Sequence, residues 1–294
     1  MNMGVLSGKV AVVTGGSRGV GKGVALALGK AGATVYVTGR TATQEDRHTL
    51  LGQKVPGTVT ETAEEVTRLG GVGIAVGCDH RNDQQVKALF DQVRDEQGKL
   101  DILVNNAYQW HPGILENKSF WEIPLGMWDD QHMVGLRSAY VASHYGAQLM
   151  VPNKQGLIAN ISSAAGGRYV LAAAYGVVKA ALDRLSSDMA QELRPHNVAS
   201  VSLWPGPILT EKTVILSSLA PVPHHAKGEQ SPAYVGSAVA ALAADPAIMK
   251  KSGQTLTTTD LGREYGFTEA DGSTPPSVQE LYWPPYQHNQ GVKE

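Results

Sequence analysis

The residues best suited to chemistry are a tyrosine and a lysine four positions apart, Tyr175 and Lys179. On a helix that spacing puts both side chains on one face. A free phenol titrates near pH ~10 and exchanges protons poorly at neutral pH, whereas a close ammonium favours its ionised form. Lowering it by about three units takes roughly 4 kcal/mol of differential stabilisation, within reach of close charges in a cleft. The spacing alone is weak evidence, because it arises by chance in chains of this length. Position gives it weight: the pair opens a helical stretch after an apolar strand-like run and follows Ser163 by twelve residues. A nearby hydroxyl could hydrogen-bond an oxygen where charge develops, and Ser163 is one candidate. Ser162 competes for that role, and a strand-end serine without a chemical role is the plain alternative.

A second group is Thr14-Gly15-Gly16-Ser17-Arg18-Gly19-Val20-Gly21. Glycines there permit positive φ and close backbone approach, and the helix that follows offers free N–H groups to a pyrophosphate. Such a turn means little by itself. Leaving a buried strand and opening a periodic helix, it is a strong signal.

The elements that must position these groups alternate along the chain. Strands are predicted at Lys9–Thr14, Thr34–Thr38, Gly73–Cys78, Leu100–Val104, Leu157–Ile161, Val198–Leu203 and near Gln254–Thr258. Their short continuous apolar runs suit strands buried on both faces. Between them lie helical patterns: Val20 to Ala31, a capping box at Thr58 and Glu61, Val86 to Val93, Trp128–Met150, Ala172–Leu193 and Val235–Ala244. Alternation with long crossovers predicts an α/β fold: one Rossmann domain over residues 1–270, its doubly wound parallel sheet of about seven strands covered on both faces. Thr41–Gly57 and Gly206–Pro232 are expected as long loops, the latter a flap over the substrate pocket, and 271–294 as a tail.

Composition excludes other classes. The 294 residues carry a net charge of −2, so no basic stripe for a nucleic acid is expected. No apolar run approaches a membrane span, no leader precedes the first strand, and a cytoplasmic location is expected. The single cysteine, Cys78, excludes an internal disulfide and a multi-thiolate metal site; it reads as a small buried hydrophobe. His224-His225 lacks a third ligand at a credible spacing, so no metal is expected.

In register with T-G-x-x-x-G-x-G stand Asp79 after the third strand, Asn105-Asn106-Ala107-Tyr108 after the fourth, Ile161-Ser162-Ser163 after the fifth, Tyr175-x-x-x-Lys179, and Trp204-Pro205-Gly206 with Thr210. Together these motifs resemble the short-chain dehydrogenase/reductase (SDR) family over roughly Ser7 to Asp271. Phe120-Trp121-Glu122, Met127-Trp128-Asp129-Asp130 and Val134-Gly135-Leu136-Arg137 look like one branch of it. The resemblance implies an oxidoreductase that reduces a ketone or aldehyde reversibly. Tyr175 would be the proton donor, Lys179 would hold the nicotinamide ribose, and Ser163 would bind the substrate oxygen. It also implies a nicotinamide cofactor held by Gly15, Ser17, Arg18, Gly19, Val20, Gly21, Arg40, Asp79, Asn106, Ala107, Tyr175, Lys179, Pro205, Gly206 and Thr210, with Asp79 at the adenine.

An NAD enzyme usually ends its second strand with a carboxylate for the ribose hydroxyls. This strand ends Thr38-Gly39-Arg40, and Arg18 lies in the turn. Two guanidinium groups suit a 2′-phosphate, which predicts NADPH/NADP+ rather than NADH. Solvated surface arginines are the competing explanation. The family's helix asparagine, part of a proton relay, is replaced by Gly135, so the relay must differ. Tyr108, Trp110, His111 and Tyr169 are expected to face the substrate, aromatic walls suiting an apolar carbonyl compound; ordinary packing is the alternative. Tyr282, Trp283 and Tyr286 favour docking of the tail on this subunit or a neighbour. The partners implied are a small carbonyl or alcohol substrate and a second copy, as a homodimer or homotetramer through Trp128–Met150 and Ala172–Leu193. A non-catalytic NADP-binding sensor and an imine or enone reductase remain open alternatives.

Overall fold

A computed structural model describes residues 4–47, 49–50, 52–111, 118–217 and 228–282. Seven parallel strands form the sheet: β1 (Val10–Thr14), β2 (Thr34–Gly39), β3 (Val72–Gly77), β4 (Ile102–Asn105), β5 (Gly156–Ile161), β6 (Val198–Trp204) and β7 (Thr255–Thr257). Their order is β3-β2-β1-β4-β5-β6-β7. Chain direction reverses across the sheet at β1, and ligands of open α/β sheets bind beyond the strand ends at such a switch point.

Helices cover both faces: α1 (Gly19–Lys30), α2 (Val59–Arg68), α3 (Asp83–Gln97), α4 (Leu125–His132), α5 (Ser138–Met150), α6 (Ala173–Leu193), α7 (Glu211–Ser217), α8 (Pro232–Ala244), α9 (Thr258–Tyr265) and α10 (Val278–Tyr282). The side chains of β1 divide by the strand period of two. Ala11 and Val13 join Val24, Leu28, Val235 and Val239 on one face, while Val10 and Val12 join Val86, Phe90, Met150 and Ile158 on the other. This two-sided burial is why the strands read as continuous apolar runs.

Local signals end the helices where expected. Thr58 and Glu61 close a reciprocal capping box on α2, and Asn82 caps α3, which stops at left-handed Gly98. The long helix predicted at Trp128–Met150 is instead α4 and α5 joined by a π-helical turn, Met133–Arg137, with Gly135 inside it. Segment 41–57 contains a small hairpin, Thr49–Leu50 paired with Gln53–Lys54. Its Leu50 and Val55 pack with Ile215 of α7 and with Trp110. Residues 271–282 fold back on the domain: Thr259 donates to the Pro276 carbonyl, Arg263 pairs with Glu280, and Val278 is buried. Trp283, Tyr286, His224 and His225 lie outside the described residues. No described helix is long and apolar enough to cross a membrane, and no group of three metal-ligating side chains occurs among the described residues.

Candidate active site

The glycine turn is built for close approach. Gly15 has φ +68°, and a β-carbon on Gly21 would lie 2.2 Å from the Gly15 carbonyl oxygen. Arg18, at the N-cap of α1, gives that helix no side-chain cap. Thr14 and Asn106 brace the turn from beneath. The Thr14 hydroxyl accepts from the Asn106 and Ala107 N–H groups at 2.9 and 3.0 Å, and the Asn106 amide donates to the Thr14 and Gly15 carbonyls at 2.9 and 3.0 Å.

Beyond the turn opens a cavity of about 530 Å³, its wall including Gly15, Ser17, Arg18, Gly19, Val20, Arg40, Asp79, Asn106, Ala107 and Thr210. The cofactor-binding positions expected before β5, apart from Gly21 beneath the turn's backbone, are therefore brought together. Arg18 donates to the Pro56 and Gly57 carbonyls, so segment 41–57 fixes its guanidinium, and Arg40 donates to Gln109. Lys212 of α7 lines the same space, and burial together with Arg18 and Arg40 pulls its ammonium down to about 8. The neighbouring Glu211 accepts from the Gly19 N–H at 2.9 Å.

His80, which the sequence reading passed over, is 5% exposed in this wall. Its Nε2 lies 2.8 Å from the Thr38 hydroxyl, and its buried Nδ1 has no partner. Thr38 donates onward to the Val13 carbonyl, which assigns the ring proton to Nε2 and leaves Nδ1 a bare acceptor. Burial holds this imidazole at about 4. A cradle that rejects a β-carbon, three cations and an orphaned buried nitrogen fit a dinucleotide with phosphates and a heterocyclic base.

A second cavity of about 380 Å³ adjoins the first; Val20, Asn106, Tyr108, Trp110 and Thr210 face both. Its walls are largely apolar, with Val170, Leu171, Pro207, Ile208 and Leu216, and it is lined also by Ser163, Tyr175, Lys179, Pro205 and Gly206. Tyr175 and Lys179 occupy the first turns of α6. The Lys179 ammonium donates to the Ile161 carbonyl at 2.9 Å and stands 5.6 Å from the Tyr175 ring centre. Burial raises the Tyr175 pKa, and a hydrogen bond with Ser163 pulls against it. Burial likewise brings Lys179 down to about 8, opposed by the Asp183 charge. Within the chain's own groups, then, the phenol is raised rather than lowered as the sequence suggested, with desolvation the main cause.

Both serines line the second cavity but are bonded differently. Ser162 is buried and donates to the Lys179 carbonyl at 3.0 Å, inside α6 packing, whereas Ser163 meets the Tyr175 hydroxyl. Asp183, one turn beyond Lys179, receives the Ser202 hydroxyl and the Trp204 indole N–H, tying α6 to β6. Lys-x-x-x-Asp spacing was its signal in the sequence. Two expected pocket walls are corrected. Tyr169 is 73% exposed, donates to the Leu171 carbonyl and faces Phe120 and Trp121 in a shallow depression. The chain turns at Leu171, φ +67°, and brings Val170 and Leu171 to the cavity instead. His111 is not among the residues lining either cavity. Tyr282 of α10 does line the second one, so the tail reaches the site of its own subunit. Cys78 is buried, its thiol pushed up to about 12 by desolvation, as an inert core cysteine would be.

Residues 9–218 match the family profile described as short chain dehydrogenase. The chain is 45% identical over 279 residues to dehydrogenase/reductase SDR family member 1 of Mus musculus, covering 91% of this chain and 85% of the relative. The Homo sapiens counterpart is 46% identical over 281 residues, with the same coverage. Among solved structures, a short chain dehydrogenase from Mycobacterium thermoresistibile superposes with a TM-score of 0.75 at 26% identity, over 92% of this chain and 93% of that one. A 7 alpha-hydroxysteroid dehydrogenase complexed with NADH and 7-oxo glycochenodeoxycholic acid gives a TM-score of 0.71 at 29% identity, over 86% and 94%.

Proposed function

Because the chain belongs to the short-chain dehydrogenase family, and so is an oxidoreductase with a nicotinamide cofactor, we propose that it is an NADPH-dependent reductase of ketones or aldehydes, reversible as an alcohol dehydrogenase. The observation that carries this reading is the joint placement of Ser163, Tyr175 and Lys179 in an apolar cavity that shares a wall with the glycine turn. The cofactor, when bound, supplies the hydride. Tyr175 donates the proton to the carbonyl oxygen as negative charge develops there, and its raised pKa keeps it protonated for that task at neutral pH. Ser163 holds the phenol and the same oxygen in line. Lys179 keeps a positive charge beside the phenol and would hold the nicotinamide ribose of a bound cofactor. The apolar wall excludes water and suits an apolar carbonyl compound.

The preference for NADPH rests on Arg18, Arg40 and Lys212 around one space, with no carboxylate ending β2. The ratio of kcat/KM for NADPH over NADH measures it; a ratio at or below one refutes it. Tyr175→Phe should abolish carbonyl reduction while NADPH still binds, and retained turnover would remove Tyr175 from the mechanism. A panel of ketones, aldehydes, imines and enones separates carbonyl reduction from the other chemistries and from a cofactor sensor. We read the protein further as a cytoplasmic homodimer or homotetramer built on α4–α5 and α6, where Tyr140 and Val177 are exposed, testable by light scattering.

A further inference from the structure

Tyr108 stands in the wall common to both cavities. Its ring meets the Tyr175 ring edge-on, with centres 5.9 Å apart and planes at 75°. The Lys179 ammonium lies 5.4 Å from the Tyr108 ring centre, nearly the distance it keeps from Tyr175. The Tyr108 hydroxyl accepts from the Gln131 amide at 2.8 Å, and that amide also donates to the Gln109 carbonyl. Gln131 is fully buried, so this anchor cannot swing into solvent. Opposite the ring lies Gly135, in the π-helical turn. A β-carbon there would sit 3.0 Å from Val178 Cγ1 and 3.8 Å from Tyr108 Cδ2. A side chain there would press first on Val178 and meet the Tyr108 ring at ordinary contact distance. Tyr108 thus packs against the two residues read as the acid and its partner, with the bare Gly135 backbone beside its ring.

We propose that Tyr108 is a positioning residue for the Tyr175–Lys179 pair: its π face helps hold the buried ammonium charged, its edge fixes the phenol, and Gln131 anchors its hydroxyl. This rests on the reading of Tyr175 as proton donor and Lys179 as its partner. An ammonium out of water has few ways to keep its charge, and an aromatic face supplies one through its quadrupole. The downward pull of burial on Lys179 makes that support count. The other groups facing the pair are Asp183 on α6, which favours the ammonium, and Tyr282 on α10, which raises Tyr175 and is itself pushed up by burial, with Arg168 pulling against it. From the end of β5, the Ile161 carbonyl and the Ser163 hydroxyl complete the surroundings.

The test is the pH dependence of Tyr175 ionisation in the intact protein with NADP+. It is read as phenolate absorbance by difference against Tyr175→Phe, and in parallel as kcat/KM for oxidation of a secondary alcohol. Tyr108→Leu should raise the midpoint by roughly half a unit to one unit, since a weaker ammonium supports the phenolate less. Tyr108→Phe, which keeps the ring and loses only the hydroxyl, should restore the wild-type midpoint, with NADPH affinity by fluorescence titration within about threefold in both. If Tyr108→Leu does not fold, Tyr108→Met fills the space without a π face and should shift the midpoint likewise. An unchanged midpoint in the Leu or Met variant overturns the proposal, as does an equal shift in Phe. Turnover retained by Tyr175→Phe would overturn the underlying assignment instead, so the two failures are distinguishable.

Discussion

Part of the stability this fold loses in acid should come from one histidine, and the size of that part follows from its surroundings. His80 is buried with the proton on Nε2, committed to Thr38, and Nδ1 facing no partner. Protonating Nδ1 would place a charge where no described group accepts its hydrogen. The imidazole accordingly falls from 6.5 to about 4 in the folded chain. As pH drops, the unfolded chain takes up this proton first, so the stabilisation is complete above 6.5 and lost as pH falls through about 4. Between pH ~7.5 and ~4.5 the linkage amounts to about 2.5 kcal/mol. Carboxylates titrate in the same window, so the control is His80→Gln, whose amide nitrogen can reach Thr38 without ionising. Urea unfolding of both proteins at the two pH values isolates the histidine, because the carboxylate contribution is common and cancels. The wild type should lose roughly 2.5 kcal/mol more than the variant. Equal losses, within about 0.5 kcal/mol, would refute the assignment of a neutral, unpartnered Nδ1.

Lys212→Met should weaken NADPH binding about tenfold and leave NADH affinity nearly unchanged, by fluorescence titration. An equal loss for both cofactors would put the ammonium at the pyrophosphate rather than the 2′-phosphate. Gly21→Ala forces a β-carbon to 2.2 Å from the Gly15 carbonyl and 2.5 Å from the Asn106 amide. Backbone must shift, costing about 1–3 kcal/mol of stability and disrupting binding of either cofactor, measured by thermal melting and titration. Asn160→Ala breaks a buried chain in which Asn105 donates to Ser143 and Asn160, and Asn160 donates to Ser186. It should destabilise by about 2–4 kcal/mol in urea without changing the cofactor preference.

Much of this protein was legible in its sequence because the signals are local. Two-sided burial writes each strand as a continuous apolar run, and helix periodicity with the Thr58–Glu61 capping box marks element starts. A pyrophosphate turn must be contiguous, so Gly15, Gly19 and Gly21 announce it. Tyr175 and Lys179 share a helix face whatever the rest of the chain does. The sequence therefore determined the parallel α/β sheet, the glycine turn and the placement of a tyrosine and a lysine on one helix face.

Only the tertiary structure decided what reaches those groups from a distance. Ser162 and Ser163 are adjacent and chemically alike; the packing of α6 takes the hydroxyl of one and leaves the other to Tyr175. Lys212 reaches the arginines because α7 folds over the turn, with Leu50 and Val55 from the 41–57 segment packed on Ile215. Tyr169 turns outward at Leu171, and the place beside Tyr175 goes to Tyr108, 67 positions away in the chain. Gly135 had looked like a missing side chain. In three dimensions it lies in a π-helical turn where a β-carbon would meet Val178 at 3.0 Å, a constraint that exists only once two distant segments are packed together.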